Sequence, residues 1–210
     1  MSARRIIAVA ALALCAFPLL DVQAGAQTAS QLVRVRIDTA LGAFEVEIDS
    51  ARAPVTATNF LKYVDGGHYD GGVFHRTVKM DNQPESSVKI EVIQAGVNPE
   101  RAKEGFPAIA LERTSVTGIL HKDGVVSMAR GAPDSATSGW FVCINDQPSL
   151  DFGGNRNPDG QGFGAFGRVV DGMDVVRKIQ AAPSSTTRTT NTEAQRLTPP
   201  ITIVKVARVR

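Results

Sequence analysis

The stretch LVRVRIDTALGAFEVEI, residues 32–48, decides the fold class of this chain. Apolar and polar residues alternate in residues 32–38 and again in residues 44–48. A period of two is typical of a β-strand with one buried face and one solvated face. The link between the two runs is short and contains Gly42, so the stretch predicts an antiparallel hairpin.

Six further runs have the composition of strands, whereas only residues 54–64 and 173–180 have apolar residues at helical spacing. Pro54 suits the first turn of a helix, and Asp171 is the expected cap of the second helix. Eight short strands with two helices predict a mainly β protein, a closed eight-stranded antiparallel β-barrel capped by two α-helices. The six further runs are residues 73–78, 88–94, 125–129, 140–144, 163–170 and 201–209.

Three segments between these runs are expected to be loops. Residues 79–87 are polar, and residues 153–162 are rich in Gly and Asn. Residues 181–200 contain many Ser, Thr and Pro. A loop of that length is unusual inside a compact domain, so this segment is expected to be mobile.

Composition excludes several classes of protein. The chain has 210 residues, of which 43% are apolar and 21% charged, so it is not intrinsically disordered. Its 23 basic and 21 acidic residues give a net charge of +2, which does not indicate a nucleic-acid partner.

Residues 1–26 have the features of a secretory signal peptide. Two arginines are followed by the uncharged residues 6–20 and then by small residues. Cleavage after Ala24 and cleavage after Ala26 fit this pattern equally well. The alternative is a membrane-spanning helix. A span requires about 20 apolar residues, and Pro18 interrupts the run before it reaches that length. The sequence therefore predicts an exported protein with no stable membrane insertion after cleavage.

Once this peptide is removed, Cys143 is the only cysteine, so no intrachain disulfide can form. It lies in the apolar run of residues 140–144, which predicts a buried and unreactive thiol. His68, Asp70 and His75 have no spacing that is typical of a metal site. We predict a site that uses no metal and no cofactor.

The run YDGGVFHR, residues 69–76, is the first candidate for a functional surface. Alternation along a strand places Phe74 and Arg76 on one face. Such a pair could form a mixed apolar and cationic binding surface. The alternative is a core phenylalanine beside a solvated arginine, and the pattern alone favours this alternative because surface arginines are common.

Six motifs follow one another along the chain: YDGGVFHR at 69–76, IQAG at 93–96, SMAR at 127–130, SATS at 135–138, LD at 150–151 and FGRVVDGMDVV at 166–176. In this order they resemble the cyclophilin family of peptidyl-prolyl isomerases, and most of all its exported bacterial branch. The resemblance covers residues 32–209 and implies an outer groove that binds unfolded or extended X-Pro polypeptides. It also implies a periplasmic location, a role in folding exported proteins, and a monomer.

The resemblance also implies roles for individual residues. Arg76 takes the position of the catalytic arginine. Phe141 and Leu150 line the proline pocket, and Phe74 supports or borders it. The positions expected to bind substrate are Phe74, Val92, Gln94, Ala129, Arg130, Phe141, Leu150 and Phe163.

Three positions depart from the family pattern. Glu91 stands where an apolar wall residue is expected, Gly139 where Gln is common, and Ser149 where an aromatic residue is common. We therefore expect a shallower and more polar groove. An alternative function is a proline-peptide binding module, or a chaperone with weak or no isomerase activity.

Overall fold

Eight antiparallel strands form a closed barrel in residues 32–209, the part of the chain that the computed structural model describes. They are β1 (Leu32–Thr39), β2 (Gly42–Asp49), β3 (Val73–Val78), β4 (Val92–Gly96), β5 (Val125–Met128), β6 (Trp140–Cys143), β7 (Gly164–Asp171) and β8 (Arg196–Arg208). Their order round the barrel is β1-β2-β7-β5-β6-β4-β3-β8, and β8 pairs with β1 to close it. The predicted fold class is confirmed. The predicted signal peptide lies outside the described residues.

The first hairpin forms as its alternation predicts. Val35 pairs with Val46 and Ile37 pairs with Phe44, and all four side chains are buried. The residues between them face solvent, where arginines of β1 stand opposite glutamates of β2. One face of the hairpin therefore contributes to the barrel core, and the other carries ion pairs.

The two predicted helices are present as α1 (Pro54–Asp65) and α3 (Met173–Ala181), and α2 (Thr114–Thr117) and α4 (Asn191–Ala194) are additional single turns. Helix α1 buries Phe60, whose ring packs against Trp140 and Phe166 in the barrel core. The prediction that Asp171 caps α3 was wrong. Gly172 holds that position with φ of 75°, a left-handed conformation in which glycine is the default residue.

Strand β4 begins at Val92, four residues later than the predicted start at Val88. The reason is the buried side chain of Gln83, whose Nε2 donates to the carbonyl oxygens of Lys79 and Ile90, each at 2.8 Å. Its Oε1 accepts from the amide of Ile90 at 3.2 Å. This side chain takes the hydrogen bonds that would otherwise extend the strand.

Residues 181–200 are not a single loop, in contrast to the prediction. They contain α4, and β8 begins within them, because Arg196 pairs with Arg76 across the β3–β8 ladder. Gln195 and Leu197 are buried. The alternation of residues 201–209 does not reach this part of β8, because Thr198, Pro199 and Pro200 lie between them.

The described residues form two apolar clusters, on opposite faces of the sheet. On β6, Trp140 and Val142 belong to the main core, while Phe141 and Cys143 belong to a smaller cluster outside the barrel. All four residues of β6 are buried. We call the smaller set the outer cluster; its buried members are Val78, Ile90, Val92, Phe141, Cys143 and Leu150.

Burial raises the pKa of the Cys143 thiol well above its ordinary value. The thiol is therefore protonated at neutral pH, as expected for an unreactive cysteine. In the described part of the chain, every helix is too short or too polar to cross a membrane.

Candidate active site

A pocket of about 200 Å³ lies above the outer cluster. It is formed by β3, β4 and β6 together with the segments that follow β5 and precede β7. Eight of the nine residues predicted for the site line this pocket, namely Arg76, Val92, Gln94, Ala129, Arg130, Phe141, Leu150 and Phe163. Their individual roles remain predictions. Ile90, Arg156 and Asn157 also line it, and the sequence did not single them out.

Phe74 is the ninth residue, and it does not line the pocket. It is fully buried in the main core, where its ring packs against Phe44 and Trp140. A bulge in β3 shifts the register between Phe74 and Arg76, so strict alternation fails there. The prediction that the two side chains share a face was wrong because the bulge directs them to opposite faces of the sheet.

Aromatic rings form the floor of the pocket. The rings of Phe141 and Phe163 meet edge to face, with centroids 5.4 Å apart. Beneath them, the buried ring of His121 stacks on Phe141 at 6.1 Å. Its Nδ1 lies 2.7 Å from Oδ1 of Asp151, and its Nε2 lies 3.0 Å from Oγ of Ser127. This network fixes the plane of His121, which in turn supports the floor.

The guanidinium of Arg76 is held at the edge of this floor. Its Nη1 donates to Oε1 of Gln94 at 2.8 Å, and its Nε donates to Oε1 of Gln195, also at 2.8 Å. Burial, together with the positive charge of Arg156, lowers the pKa of Arg76 to about 10. Arg76 therefore remains a cation at neutral pH, although it is less solvated than a surface arginine.

Gln195 is a site residue that the sequence analysis missed. Its side chain is fully buried, and its Nε2 donates to the carbonyl oxygen of Asn82 at 3.1 Å. Asn82 is buried as well, and its Nδ2 donates to the carbonyl oxygen of Thr77 at 2.9 Å. Residues 79–87 and 181–200, which were both expected to be loops, thus supply the side chains that position Arg76. No pattern in either segment indicates this role.

Arg130 is bound to the protein rather than free to meet a ligand. Its Nη1 and Nη2 donate to the carboxylate of Asp159 at 2.8 and 3.0 Å, and its Nε donates to the carbonyl oxygen of Gly162 at 2.7 Å. The guanidinium carbon lies 5.1 Å from the centre of the Phe163 ring. Hydrogen bonds from Arg130 hold the pKa of Asp159 down to about 2. Arg130 therefore fixes one wall of the pocket.

The expected polar wall at Glu91 is not present. The Glu91 carboxylate binds Nδ2 of Asn145 at 2.9 Å and Nε2 of Gln180 at 3.1 Å, and it does not line the pocket. Ile90 and Val92, on either side of it, are the residues that line it. The prediction was wrong because the register of β4 could not be read through the preceding loop.

Chemically, the arrangement offers an apolar floor for a compact ring and a fixed cationic donor beside it. Among residues 32–209, no group of three or more His, Cys, Asp and Glu side chains is arranged to hold a metal ion.

Comparison with known proteins gives one consistent result. The family model described as "Cyclophilin type peptidyl-prolyl cis-trans isomerase/CLD" matches residues 32–208. The peptidyl-prolyl cis-trans isomerase of Acinetobacter baylyi is 35% identical over 153 residues, which cover 72% of this chain and 74% of that protein. The isomerase cyp18 of Streptomyces antibioticus is 33% identical over 155 residues, covering 73% and 87%.

A crystal structure of a Cryptosporidium parvum cyclophilin-type isomerase has the same fold, with a TM-score of 0.65 at 20% identity. The match covers 85% of this chain and 98% of that one. A second structure of that protein, with a TM-score of 0.64 at 20% identity, was determined in the presence of the dipeptide Ala-Pro and covers 84% of this chain and 99% of that one.

Proposed function

Because this chain belongs to the cyclophilin-type peptidyl-prolyl cis-trans isomerase family, we propose that its pocket binds X-Pro segments and accelerates rotation about the X-Pro bond. The observation that carries the proposal is the position of Arg76. Its guanidinium is braced by Gln94 and Gln195 at the edge of an apolar floor that suits a proline ring.

The reaction requires no bond to break. Rotation about a peptide bond has a barrier of about 18–20 kcal/mol, because resonance gives the C–N bond partial double-bond character. In X-Pro bonds the trans isomer is favoured by only about 0.5–1 kcal/mol, so both isomers are populated and exchange takes tens to hundreds of seconds. An enzyme accelerates this exchange by binding the twisted amide more tightly than either planar form.

Twisting returns the lone pair to the prolyl nitrogen. A guanidinium beside that nitrogen donates to this lone pair, and it gains little from a planar amide. Arg76 suits this role because an arginine is charged at all physiological pH values and its donors are rigidly arranged. Phe141, Leu150 and Phe163 hold the proline ring while the preceding carbonyl rotates.

The direct test is exchange NMR on an Ala-Pro peptide with the chain from Gln27 onward. We expect cis–trans exchange well above the uncatalysed rate at micromolar protein. Peptide binding, seen as shifted protein resonances, with exchange at the background rate would contradict isomerase activity and favour a proline-peptide binding module.

Loss of the hydrogen bonds between Gln195 and Arg76 provides a second test. Gln195→Leu removes the acceptor of Nε and Nη2 of Arg76, and a hydrogen bond to a charged group contributes about 1.5–3 kcal/mol. We expect kcat to fall about tenfold with little change in KM, because the arginine is no longer held in place. Gln180→Leu is the matched control, since that amide binds Glu91 outside the pocket. Equal kcat values for the two variants would show that Gln94 alone positions Arg76.

We further propose that the protein is exported to the bacterial periplasm, where it assists the folding of exported proteins as a monomer. The basic, apolar and small-residue pattern of residues 1–26 supports this proposal. Mass spectrometry of the protein from a periplasmic extract should find a chain that begins at Gly25 or Gln27. A chain that keeps its first 24 residues in the cytoplasm would contradict it.

A further inference from the structure

A second cavity lies on the other side of Arg76. It encloses about 520 Å³ and shares Arg76 and Gln94 with the pocket described above. The two cavities therefore lie next to each other at Arg76, and we refer to them together as the groove. The other residues that line the second cavity are His75, Thr192, Arg196 and Pro200.

The second cavity contains an arginine, Arg196, that has no ion-pair partner in the described part of the chain. Arg196 stands opposite Arg76 in the β3–β8 ladder, and like charges directly opposite each other are unfavourable. Within residues 32–209, the Arg196 guanidinium makes no ion pair and no side-chain hydrogen bond. Glu193 interacts with this charge from beyond ion-pair distance and offsets it only in part, while its carboxylate accepts hydrogen bonds from the Thr189 and Thr190 hydroxyls.

The rest of the groove does not neutralise this charge. Arg156 donates to the carbonyl oxygen of Val88 at 2.6 Å and to Oε1 of Gln83 at 3.0 Å, so its partners are uncharged. The partners of Arg76 are also uncharged amides. Among the residues that line the two cavities there is no Asp or Glu. Of the four arginines that line the two cavities, Arg130 is paired with Asp159. The other three, Arg76, Arg156 and Arg196, have no ion-pair partner within residues 32–209, so they give the groove a net positive potential, which attracts an anionic ligand.

His75 contributes little to this potential at neutral pH. Burial lowers its pKa, and the neighbouring charge of Arg76 acts in the same direction. Besides Arg76, which the second cavity shares with the pocket, Arg196 is therefore the one cation that lines it, beside the neutral surfaces of His75, Thr192 and Pro200. This chemistry fits a single carboxylate on a side chain rather than a multiply charged group.

We propose that Arg196 binds an acidic side chain of the substrate, so that this protein prefers X-Pro segments with Asp or Glu close to the proline. The inference rests on the proposed function, because it places the proline beside Arg76. Cross-strand neighbours lie about 4.5–5.5 Å apart, and an extended chain advances about 3.3–3.6 Å per residue. The acidic residue therefore lies about one to three residues from the proline.

The test compares peptides that differ at one position. Ala-Pro peptides carry Glu, Gln or Lys two residues before the proline, or two residues after it, and kcat/KM is measured by exchange NMR. On one flank we expect the Glu peptide to exceed the Gln peptide by about three- to fivefold, as for an exposed ion pair. The Lys peptide should fall below the Gln peptide, and the differences should shrink in about 0.5 M salt.

Two matched variants locate the effect. Arg196→Gln should reduce the Glu/Gln ratio to about one. Arg168→Gln removes the same charge from a side chain on β7 that is 69% exposed and lies outside both cavities, so it should keep the wild-type ratio. The unfolding midpoint of Arg196→Gln should equal or exceed that of the wild type, because the variant relieves a like-charge contact.

Two results would overturn the proposal: a wild-type ratio of one on both flanks, or a ratio in Arg196→Gln as large as in Arg168→Gln. The Gln peptide reports isomerase activity separately, since it carries no charge at the tested position. If no peptide is accelerated, the proposed function fails. In that case NMR titration gives the Kd of each peptide. The ratio of the Kd of the Gln peptide to that of the Glu peptide, compared between wild type and Arg196→Gln, then tests the Arg196 site independently of isomerase activity.

Discussion

Arg76→Ala is expected to lower kcat/KM for X-Pro isomerisation by about 10²–10³, the cost of removing one donor that acts on charge developing in a transition state. The guanidinium is partly desolvated and held by two amides, so its donors need little reorganisation when the amide twists. The loss should fall mainly on kcat, since the proline ring still has its apolar floor. Exchange NMR at saturating peptide measures it.

Arg76→Lys separates charge from geometry. Lysine keeps the positive charge but presents one ammonium group instead of a planar set of donors. It should recover only a small part of the lost activity, and its unfolding midpoint should lie near that of Arg76→Ala. Equal isomerisation rates for wild type and Arg76→Ala would remove Arg76 from the mechanism.

Phe141→Ala should have the largest effect on stability, lowering the free energy of unfolding by about 3–5 kcal/mol. The side chain is only 4% exposed and packs against Phe163 and His121. Its removal leaves a cavity beside the buried hydrogen bond between His121 and Ser127. Urea denaturation measures the loss, and proline-peptide binding should be lost with it.

Phe152→Ala is the control for this prediction, because Phe152 is 47% exposed and its loss should change stability by about 0.5 kcal/mol or less. Phe141→Leu tests the site without a large cavity, and it should stay folded while peptide binding weakens. A loss below about 1 kcal/mol for Phe141→Ala would mean that the outer cluster collapses around the gap.

The candidate site was predictable where the residues lie on regular strands or in motifs that resemble the family. Arg76, Gln94 and Phe141 are examples, and the structure brings them to one pocket. Phe74 was misplaced because a single bulge reverses the face of every residue beyond it. Glu91 was misplaced because a loop of unknown register precedes it.

Gln195 and His121 show a different limit. Each is a buried polar residue whose partners lie far away in sequence or in another segment, such as Arg76, which is 119 residues from Gln195. Patterns in a single sequence indicate which faces are buried, but they carry no signal for a side-chain amide that binds an arginine on a neighbouring strand.

The sequence alone determined which segments form strands and the two main helices, and that the strands close into a barrel, because alternation and helical spacing are local properties that require burial of one face. Only the tertiary structure decided that β6 is buried on both faces, that β8 begins at Arg196, and that two apparent loops hold Arg76. Those features depend on contacts between segments that are far apart in the sequence. A buried polar group is stable only when such a contact provides its hydrogen-bond partner.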